Sequence, residues 1–263
     1  MATFEIEYFS ESLDMARHVS VIYPDAADVA PDLVDCTDIP VLYLLHGMNG
    51  NENSWRKRTA IERLIRHTNL IVIMPNTDLA WYTNTTYGLN YYDAIAKELP
   101  KVMQRFFPNM SRKREKTFIA GLSMGGYGAF KIGLSTNEYA YVGAFSGALG
   151  IGMDLDELEK NVDKKPAYWQ GIFGDLTREN LKKHIMTTFA KEHDKKSQFY
   201  TWCGKEDFLF GSNQKAVKAL EDMGLNLEST VSHGTHDWYY WEQQLQVFLK
   251  KLPIDYEEEE RLT

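Results

Sequence analysis

The stretch Lys116-Thr117-Phe118-Ile119-Ala120-Gly121-Leu122-Ser123-Met124-Gly125 carries most of the information about the fold. Its first half is a short apolar run of the kind that forms a buried strand. Its second half is G-x-S-x-G, which places glycines where a strand turns sharply into a helix. A helical pattern follows directly, carried by Ala129, Phe130, Ile132 and Leu134. The sequence therefore predicts a strand, a tight turn that presents a serine, and a helix packed back onto the strand.

Similar apolar runs recur along the chain, and helical patterns lie between most of them. The runs cover residues 41–45, 70–74, 116–120, 142–145, 198–202 and 227–231. Apolar runs without alternation indicate strands buried on both faces, as in a parallel sheet covered by helices. Strands that alternate with helices predict an α/β fold with right-handed crossovers.

The N-terminal segment differs, because its apolar residues alternate with polar ones. The alternating residues are Phe4, Ile6 and Tyr8, then Val19, Val21 and Tyr23. This period of two predicts an antiparallel pair at one edge of the sheet. An exposed edge strand could pair with a second copy, so a homo-oligomer is one expectation for the assembly.

Two helices are clear from the spacing of apolar residues. The first follows Asn90, a candidate N-cap, and extends to Phe106, with Pro100 expected to kink or split it. The second begins near Trp238 and extends to Leu252. Residues 148–196 contain no convincing strand and one helix near 179–191. We expect one domain over residues 1–263, with 148–196 inserted over the active-site edge of the sheet and 254–263 as an acidic tail.

Composition excludes several classes of protein. The chain has 29 Lys plus Arg against 37 Asp plus Glu, a net charge of −8, so it lacks the basic surface that nucleic-acid binding requires. Two cysteines, Cys36 and Cys203, allow neither a disulfide scaffold nor a zinc ribbon. No secretory signal or membrane span is recognisable, so we expect a cytoplasmic protein without membrane contact.

A serine hydroxyl becomes a strong nucleophile only when a base takes its proton, and the usual base is a histidine. In folds with this strand–turn–helix the partners follow the serine in the order acid, then histidine. Four histidines follow Ser123, and we favour His236 over His233, His184 and His193. His236 lies deep in the loop between the last strand and the last helix, whereas His233 continues the strand.

The acid is expected at the end of a strand between the serine and the histidine. Glu206 and Asp207 both follow the strand at 198–202, and we favour Asp207 for its shorter side chain. The developing oxyanion also needs backbone donors. The predicted donors are Met124, next to the serine, and Met48, in the loop after an early strand. His46, at the start of that loop, is expected to brace the turn.

These motifs occur together in a known family. His46-Gly47-Met48 with Trp55, the stretch 121–128, Gly204-Lys205-Glu206-Asp207 and His236-Asp237-Trp238 resemble the esterase D family of α/β-hydrolases. The segments Trp81-Tyr82-Thr83-Asn84 and 87–92 resemble those of the bacterial tributyrin-esterase branch of this family. The members of that branch are carboxylesterases that act on short-chain acyl esters. The resemblance covers nearly the whole chain. It implies a triad of Ser123, Asp207 and His236 with Met48 and Met124 as oxyanion donors.

We therefore expect a serine carboxylesterase that acts on acetyl- or butyryl-type esters of small molecules. Trp81, Tyr82 and Trp169 are candidate walls of the substrate pocket. No cofactor or metal motif occurs in the sequence. Feruloyl, cinnamoyl and carbohydrate acetyl esterases remain alternatives, as do a thioesterase of the S-formylglutathione hydrolase type and an acyltransferase. The S-formylglutathione hydrolases usually carry G-H-S-M-G-G-H-G, where this chain has Leu122 and Tyr127 in place of the histidines.

Overall fold

The computed structural model of the chain describes residues 1–25, 37–153 and 164–258. Cys36 and most of the polar stretch 24–40 lie outside the described residues. The same holds for residues 154–163 of the predicted insertion and 259–263 of the predicted acidic tail.

The described strands form one eight-stranded sheet that is parallel except at one edge. They are β1 (Ala2–Ser10), β2 (Met15–Tyr23), β3 (Val41–Leu45), β4 (Ile71–Pro75), β5 (Thr117–Leu122), β6 (Tyr141–Phe145), β7 (Gln198–Gly204) and β8 (Leu227–Ser232). Their order is β1-β2-β4-β3-β5-β6-β7-β8. Strand β2 is antiparallel to both of its neighbours, β1 and β4, and the other neighbouring strands pair in parallel. The predicted parallel sheet with an antiparallel N-terminal edge is therefore confirmed.

Helices cover both faces of the sheet. In the described part of the chain they are α1 (Ser54–Arg58), α2 (Ile61–Leu64), α3 (Tyr91–Asp93), α4 (Leu99–Phe106), α5 (Met124–Ser135), α6 (Pro166–Phe173), α7 (Arg178–Leu181), α8 (Met186–Phe189), α9 (Phe210–Asp222) and α10 (Trp238–Leu249). None of them has both the length and the apolar character needed to cross a membrane. The sheet separates two apolar cores, one under α4, α5 and α9 and the other under α1, α2 and α10.

The central strands have the buried character that their apolar runs predict. Every residue of β3 and β4 is buried, because helices pack on both sides of these strands. Large aromatic side chains fill both cores, Tyr43 and Phe130 in one and Phe118 and Phe145 in the other. Burial of each large apolar side chain contributes about 1.5–3 kcal/mol, so the sheet is the stable platform on which the loops are mounted.

The helix after Asn90 is divided, as Pro100 predicts. A π-helical segment, Ala94–Glu98, separates α3 from α4, and Pro100 lies in the first turn of α4. Proline has no N–H, and the first turn of a helix is where a missing donor costs least. Asn90 does precede the helix, but its side chain makes no capping hydrogen bond.

The prediction of a single helix near 179–191 is wrong. The chain forms two short helices there, α7 and α8, each followed by a turn of 3-10 helix, and Ile185 between them is extended (φ −83°, ψ 146°). Two side-chain hydroxyl groups, one from α5 and one from α8, donate to backbone carbonyls at the break. Tyr127 Oη donates to His184 O at 3.1 Å, and Thr188 Oγ1 donates to Lys182 O at 2.6 Å. These contacts compete with a continuous helix.

Helix α5 approaches the sheet so closely that its second residue has no room for a side chain. A Cβ at Gly125 would lie 2.5 Å from Leu45 O and 2.6 Å from His46 O. These oxygens belong to the end of β3 and the residue after it, so α5 must shift to admit a larger residue. Gly211, the second residue of α9, has nothing within 4 Å of its Cβ position.

We expect Gly125→Ala to lower the free energy of unfolding by about 1–3 kcal/mol or more, since the methyl group collides with backbone. Gly211→Ala is the matched control and should be stabilising by up to about 1 kcal/mol, because alanine favours a helix over glycine. Urea titration of both variants measures the difference. Equal free energies of unfolding would contradict the close contact between α5 and β3.

Candidate active site

Ser123 occupies the turn between β5 and α5 in a backbone conformation that is unusual for a residue with a side chain. Its φ is +53° and its ψ is −118°. Conformations of this kind cost about 1–3 kcal/mol and persist where surrounding contacts hold them. Here Ser123 N–H donates to Phe145 O at 3.0 Å, and Ser123 O accepts from Tyr127 N–H and Ala148 N–H, each at 3.1 Å. The predicted strand–turn–helix is therefore present, with the serine at its apex.

Glycine at 121 is what allows the turn to close. A Cβ at Gly121 would lie 2.4 Å from Gly125 O. The two outer glycines of G-x-S-x-G thus touch each other's backbone across the turn. A side chain at either position would push the strand and helix apart and move the serine.

The structure brings Ser123, His236 and Asp207 into one chain of hydrogen bonds. His236 Nε2 lies 3.0 Å from Ser123 Oγ, and His236 Nδ1 lies 2.8 Å from Asp207 Oδ2. The carboxylate can only accept, so Nδ1 carries a proton and donates it to Asp207. Nε2 is then free to accept the hydroxyl proton of Ser123.

Asp207 is a fully buried carboxylate at the start of the loop that follows β7. Its side chain is 0% exposed, and the His236 side chain is 19% exposed. Burial acts to raise the pKa of the Asp207 carboxyl, but the hydrogen bonds from His236 and from Leu209 N–H outweigh burial and hold this pKa below its ordinary value. The group is therefore ionised at neutral pH and favours a positive charge on the adjacent imidazole.

The alternative acid and base are placed elsewhere, and they contact each other. His233 Nδ1 lies 3.1 Å from Glu206 Oε2, and Gly234 N–H donates to the same oxygen at 2.8 Å. Both side chains are exposed, at 77% and 47%. This pair connects the loop after β7 to the loop after β8, beside His236 and without contacting Ser123.

The predicted oxyanion donors belong to segments that adjoin the serine. Gly47 lies against Ser123, because a Cβ at Gly47 would be 3.3 Å from Ser123 Cβ. Met48 follows and is half-buried. Met124 is the first residue of α5, where backbone N–H groups have no partner inside the helix. The geometry is compatible with both as donors, and their role stays a prediction.

His46 braces the loop before Met48, as its place at the start of that loop predicts. The ring is buried, its Nδ1 donates to Gly47 O at 2.8 Å, and Thr77 N–H donates to its Nε2 at 3.1 Å. These partners require a neutral imidazole, and burial lowers the pKa of His46 accordingly. Tyr82 Oη also donates to His46 O at 2.9 Å.

The three candidate pocket residues all lie in the core. Trp81, Tyr82 and Trp169 are 3%, 0% and 1% exposed, and the rings of Trp81 and Trp169 pack at 5.4 Å. Trp81 Nε1–H donates to Tyr168 Oη at 2.9 Å. These contacts favour a packing role beneath the site, and a role as pocket walls stays a prediction.

Two aromatic residues that the sequence motifs do not single out pack against the imidazole of His236. The ring of Phe208 lies 4.6 Å from that of His236, and the ring of Trp241 lies 4.8 Å away at 85°. Phe208 is 77% exposed, so it extends the site toward solvent. For Phe208 the available signal is a large apolar residue directly after the candidate acid, in a loop that begins with Lys205-Glu206-Asp207.

Cys203 lies at the end of β7 and is buried. Burial raises the pKa of the Cys203 thiol to about 12, so it stays protonated. Within residues 1–25, 37–153 and 164–258, no group of three or more His, Cys, Asp or Glu side chains could hold a metal ion.

Comparison with known proteins agrees with this geometry. The Esterase family model, described as "Putative esterase", matches residues 10–252. An acetyl esterase of Caldicellulosiruptor saccharolyticus is 30% identical over 257 residues, which cover 93% of this chain and 96% of the relative. The solved structure of the fluorophosphonate-binding serine hydrolase FphF of Staphylococcus aureus is 30% identical with a TM-score of 0.80, covering 94% of this chain and 96% of the other. The S-formylglutathione hydrolase FrmB of the same organism is 29% identical with a TM-score of 0.75 and the same coverage.

The fold and the comparisons define an α/β-hydrolase of the serine hydrolase class. More particularly, the chain belongs to the Esterase family and is an ester hydrolase.

The buried position of Asp207 separates it from Glu206 experimentally. We expect Asp207→Asn to lower kcat by about 10⁴-fold, the size found for the same change in a serine protease, because the neutral amide no longer selects the productive imidazole tautomer. Glu206→Gln, the control, should lower kcat less than about fivefold, since an exposed pair contributes little. The measurement is kcat on a p-nitrophenyl butyrate ester. A larger loss in Glu206→Gln would assign the acid to Glu206.

Proposed function

We propose that this protein is a serine carboxylesterase that hydrolyses short-chain acyl esters through an acyl-enzyme on Ser123. The observation that carries the proposal is the hydrogen-bonded chain from Ser123 Oγ through His236 to Asp207, at 3.0 and 2.8 Å. It begins at a serine held in a strained turn and ends at a buried carboxylate. This is the arrangement by which a hydroxyl is activated as a nucleophile.

In the first half-reaction Ser123 Oγ attacks the ester carbonyl carbon, and its proton passes to His236 Nε2. The Asp207 carboxylate stabilises the imidazolium that forms. The carbonyl oxygen becomes an oxyanion, which the N–H groups of Met48 and Met124 bind. When the intermediate collapses, the bond to the leaving alcohol breaks and His236 gives that alcohol its proton.

In the second half-reaction water takes the place of the alcohol. His236 removes a proton from the water as its oxygen attacks the acyl carbon. The bond to Ser123 Oγ then breaks, the proton returns to the serine, and the carboxylic acid leaves. The enzyme ends as it began, without a net change in its own protonation.

Two observations support a short acyl chain. The acetyl esterase of Caldicellulosiruptor saccharolyticus aligns with nearly the full chain. The motifs of this sequence also resemble the tributyrin-esterase branch of the esterase D family. We therefore propose acetyl and butyryl esters as the preferred substrates.

A thioesterase of the S-formylglutathione hydrolase type is the second candidate, since one similar solved structure carries that name. The residues beside the nucleophile argue against it. Leu122 and Tyr127 occupy the two positions where that group usually has histidines, and both are buried. Tyr127 is moreover engaged, through its hydroxyl, with His184 O at 3.1 Å.

The nucleophile can be identified by covalent labelling. We expect a fluorophosphonate to modify the wild type at Ser123, because the activated hydroxyl attacks phosphorus as it attacks an acyl carbon. Ser123→Ala should not be labelled, and Ser135→Ala, on the exposed end of the same helix, should be labelled like the wild type. Intact-mass and peptide mass spectrometry give the readout. Equal labelling of Ser123→Ala would overturn the assignment.

Substrate preference needs a panel of acetyl, butyryl, octanoyl and feruloyl esters with a glutathione thioester. We expect kcat/KM for acetyl or butyryl esters to exceed the others by at least about tenfold, the discrimination available from a pocket that fits a short chain. A higher kcat/KM on the thioester would replace the carboxylesterase proposal by the second candidate. Product analysis with a competing alcohol tests acyl transfer in the same reactions.

A further inference from the structure

Lys131 is a buried lysine on α5, the helix that begins at the nucleophile turn. The residue is 6% exposed, and Nζ donates a hydrogen bond to Thr83 Oγ1 at 2.8 Å. Three aromatic rings surround the nitrogen, with centroids at 5.1 Å for Tyr92, 5.8 Å for Tyr127 and 5.6 Å for Phe189. Aromatic faces attract a cation in this geometry.

Burial of an amine at this position is energetically unfavourable. Burial lowers the pKa of Lys131 to about 7, against the opposing effect of the Asp93 carboxylate. Asp93 itself forms an ion pair with Lys97 at 2.5 Å. A methionine of similar length would fill the space without the cost of desolvating an amine. The hydrogen bond to Thr83 is the directional contact here that an amine makes and an apolar side chain cannot, beside the attraction of the aromatic faces.

Thr83 connects Lys131 to a strained turn. Its Oγ1 accepts from Lys131 and donates to Trp81 O at 2.8 Å. Trp81 and Tyr82 both have left-handed backbone, with φ of +54° and +50°. Two consecutive residues with large side chains in this region are unfavourable, so the turn depends on external contacts.

The turn of residues 77–83 is also hydrogen-bonded to the loop that precedes Met48. Tyr82 Oη donates to His46 O at 2.9 Å, and Thr77 N–H donates to His46 Nε2 at 3.1 Å. The next residue, Gly47, lies against Ser123. The contacts therefore run without a break from Lys131 to the backbone beside the nucleophile.

We propose that Lys131 is a positioning residue for ester hydrolysis. Its hydrogen bond to Thr83 locks the Trp81–Tyr82 turn, and that turn fixes, through His46, the backbone that presents Met48 N–H to the oxyanion. The inference rests on the proposed function, because it takes Met48 as an oxyanion donor. Lys131 itself does not touch the substrate.

The size of the effect follows from the oxyanion site. Loss of one donor lowers kcat by about 10²–10³-fold, and a displaced donor loses only part of this. We expect a reduction in kcat of about 10–100-fold when the Lys131–Thr83 contact is removed. KM should change less than about threefold, since the oxyanion forms after the substrate binds.

Thr83→Val tests the contact with little change of shape, and Lys131→Met tests it from the other side. Thr136→Val is the matched control, because Thr136 Oγ1 also donates to a backbone carbonyl, Ile132 O at 2.9 Å, away from the 77–83 turn. Activity on a butyrate ester is normalised to the Ser123 sites that a fluorophosphonate titrates. Thr83→Val and Lys131→Met should both lose kcat, and Thr136→Val should keep it.

Two further variants separate positioning from general stability. Thr83→Ser restores the hydroxyl and should recover most of the kcat lost in Thr83→Val. The double variant of Thr83→Val with Lys131→Met should lose no more kcat than the worse single variant, because both act on one contact. A variant that merely destabilises the fold would change the number of titrated sites and leave kcat per site unchanged.

Wild-type kcat per titrated site in Thr83→Val overturns the inference, and Thr83→Val is sufficient for this test if Lys131→Met fails to fold. A loss of kcat in Thr136→Val equal to that in Thr83→Val also overturns it. Failure of the proposed function has a different signature, which lies in the wild type itself: it would not be labelled at Ser123, or it would show a higher kcat/KM on the glutathione thioester than on the butyrate ester.

Discussion

The close approach of α5 to the ends of β3 and β5 is the constraint on which the site depends. Gly121 and Gly125 leave no space between strand, turn and helix, and Ser123 is forced into a left-handed conformation at the apex. The cost of that conformation is met by the two apolar cores, which fix β5 and α5 from both faces of the sheet. The position of Ser123 is therefore a consequence of close packing more than of the local backbone preference of the residue.

Parallel strands then bring the other groups to the same edge. β5, β7 and β8 run in one direction, so the loops that follow them carry Ser123, Asp207 and His236 to a single place. The exposed pair of Glu206 and His233 joins the last two of these loops, beside the buried pair that contacts the serine.

A second set of contacts joins α5 to the 77–83 turn and to the loop that precedes Met48. The 77–83 turn is strained and is buried at Thr77 and over residues 80–83. It is hydrogen-bonded to His46 at two points and to Lys131 through Thr83. Helix α5 thus carries the N–H group of Met124 at its first residue and, through Lys131, supports the loop that contains Met48. The aromatic residues Trp81 and Tyr82 contribute to this support from the core.

The sequence by itself determined the features that depend on neighbours along the chain. The apolar runs gave the strands, G-x-S-x-G gave the turn, and the order of residues limited the partners to Glu206 or Asp207 and to a few histidines. Only the tertiary structure decided which of them face the serine, because His236 contacts residues 29 and 113 positions away. The sequence also does not predict three further features: the break at Ile185, the burial of Trp169 and the environment of Lys131. Each of these depends on how distant segments pack, which local patterns do not specify.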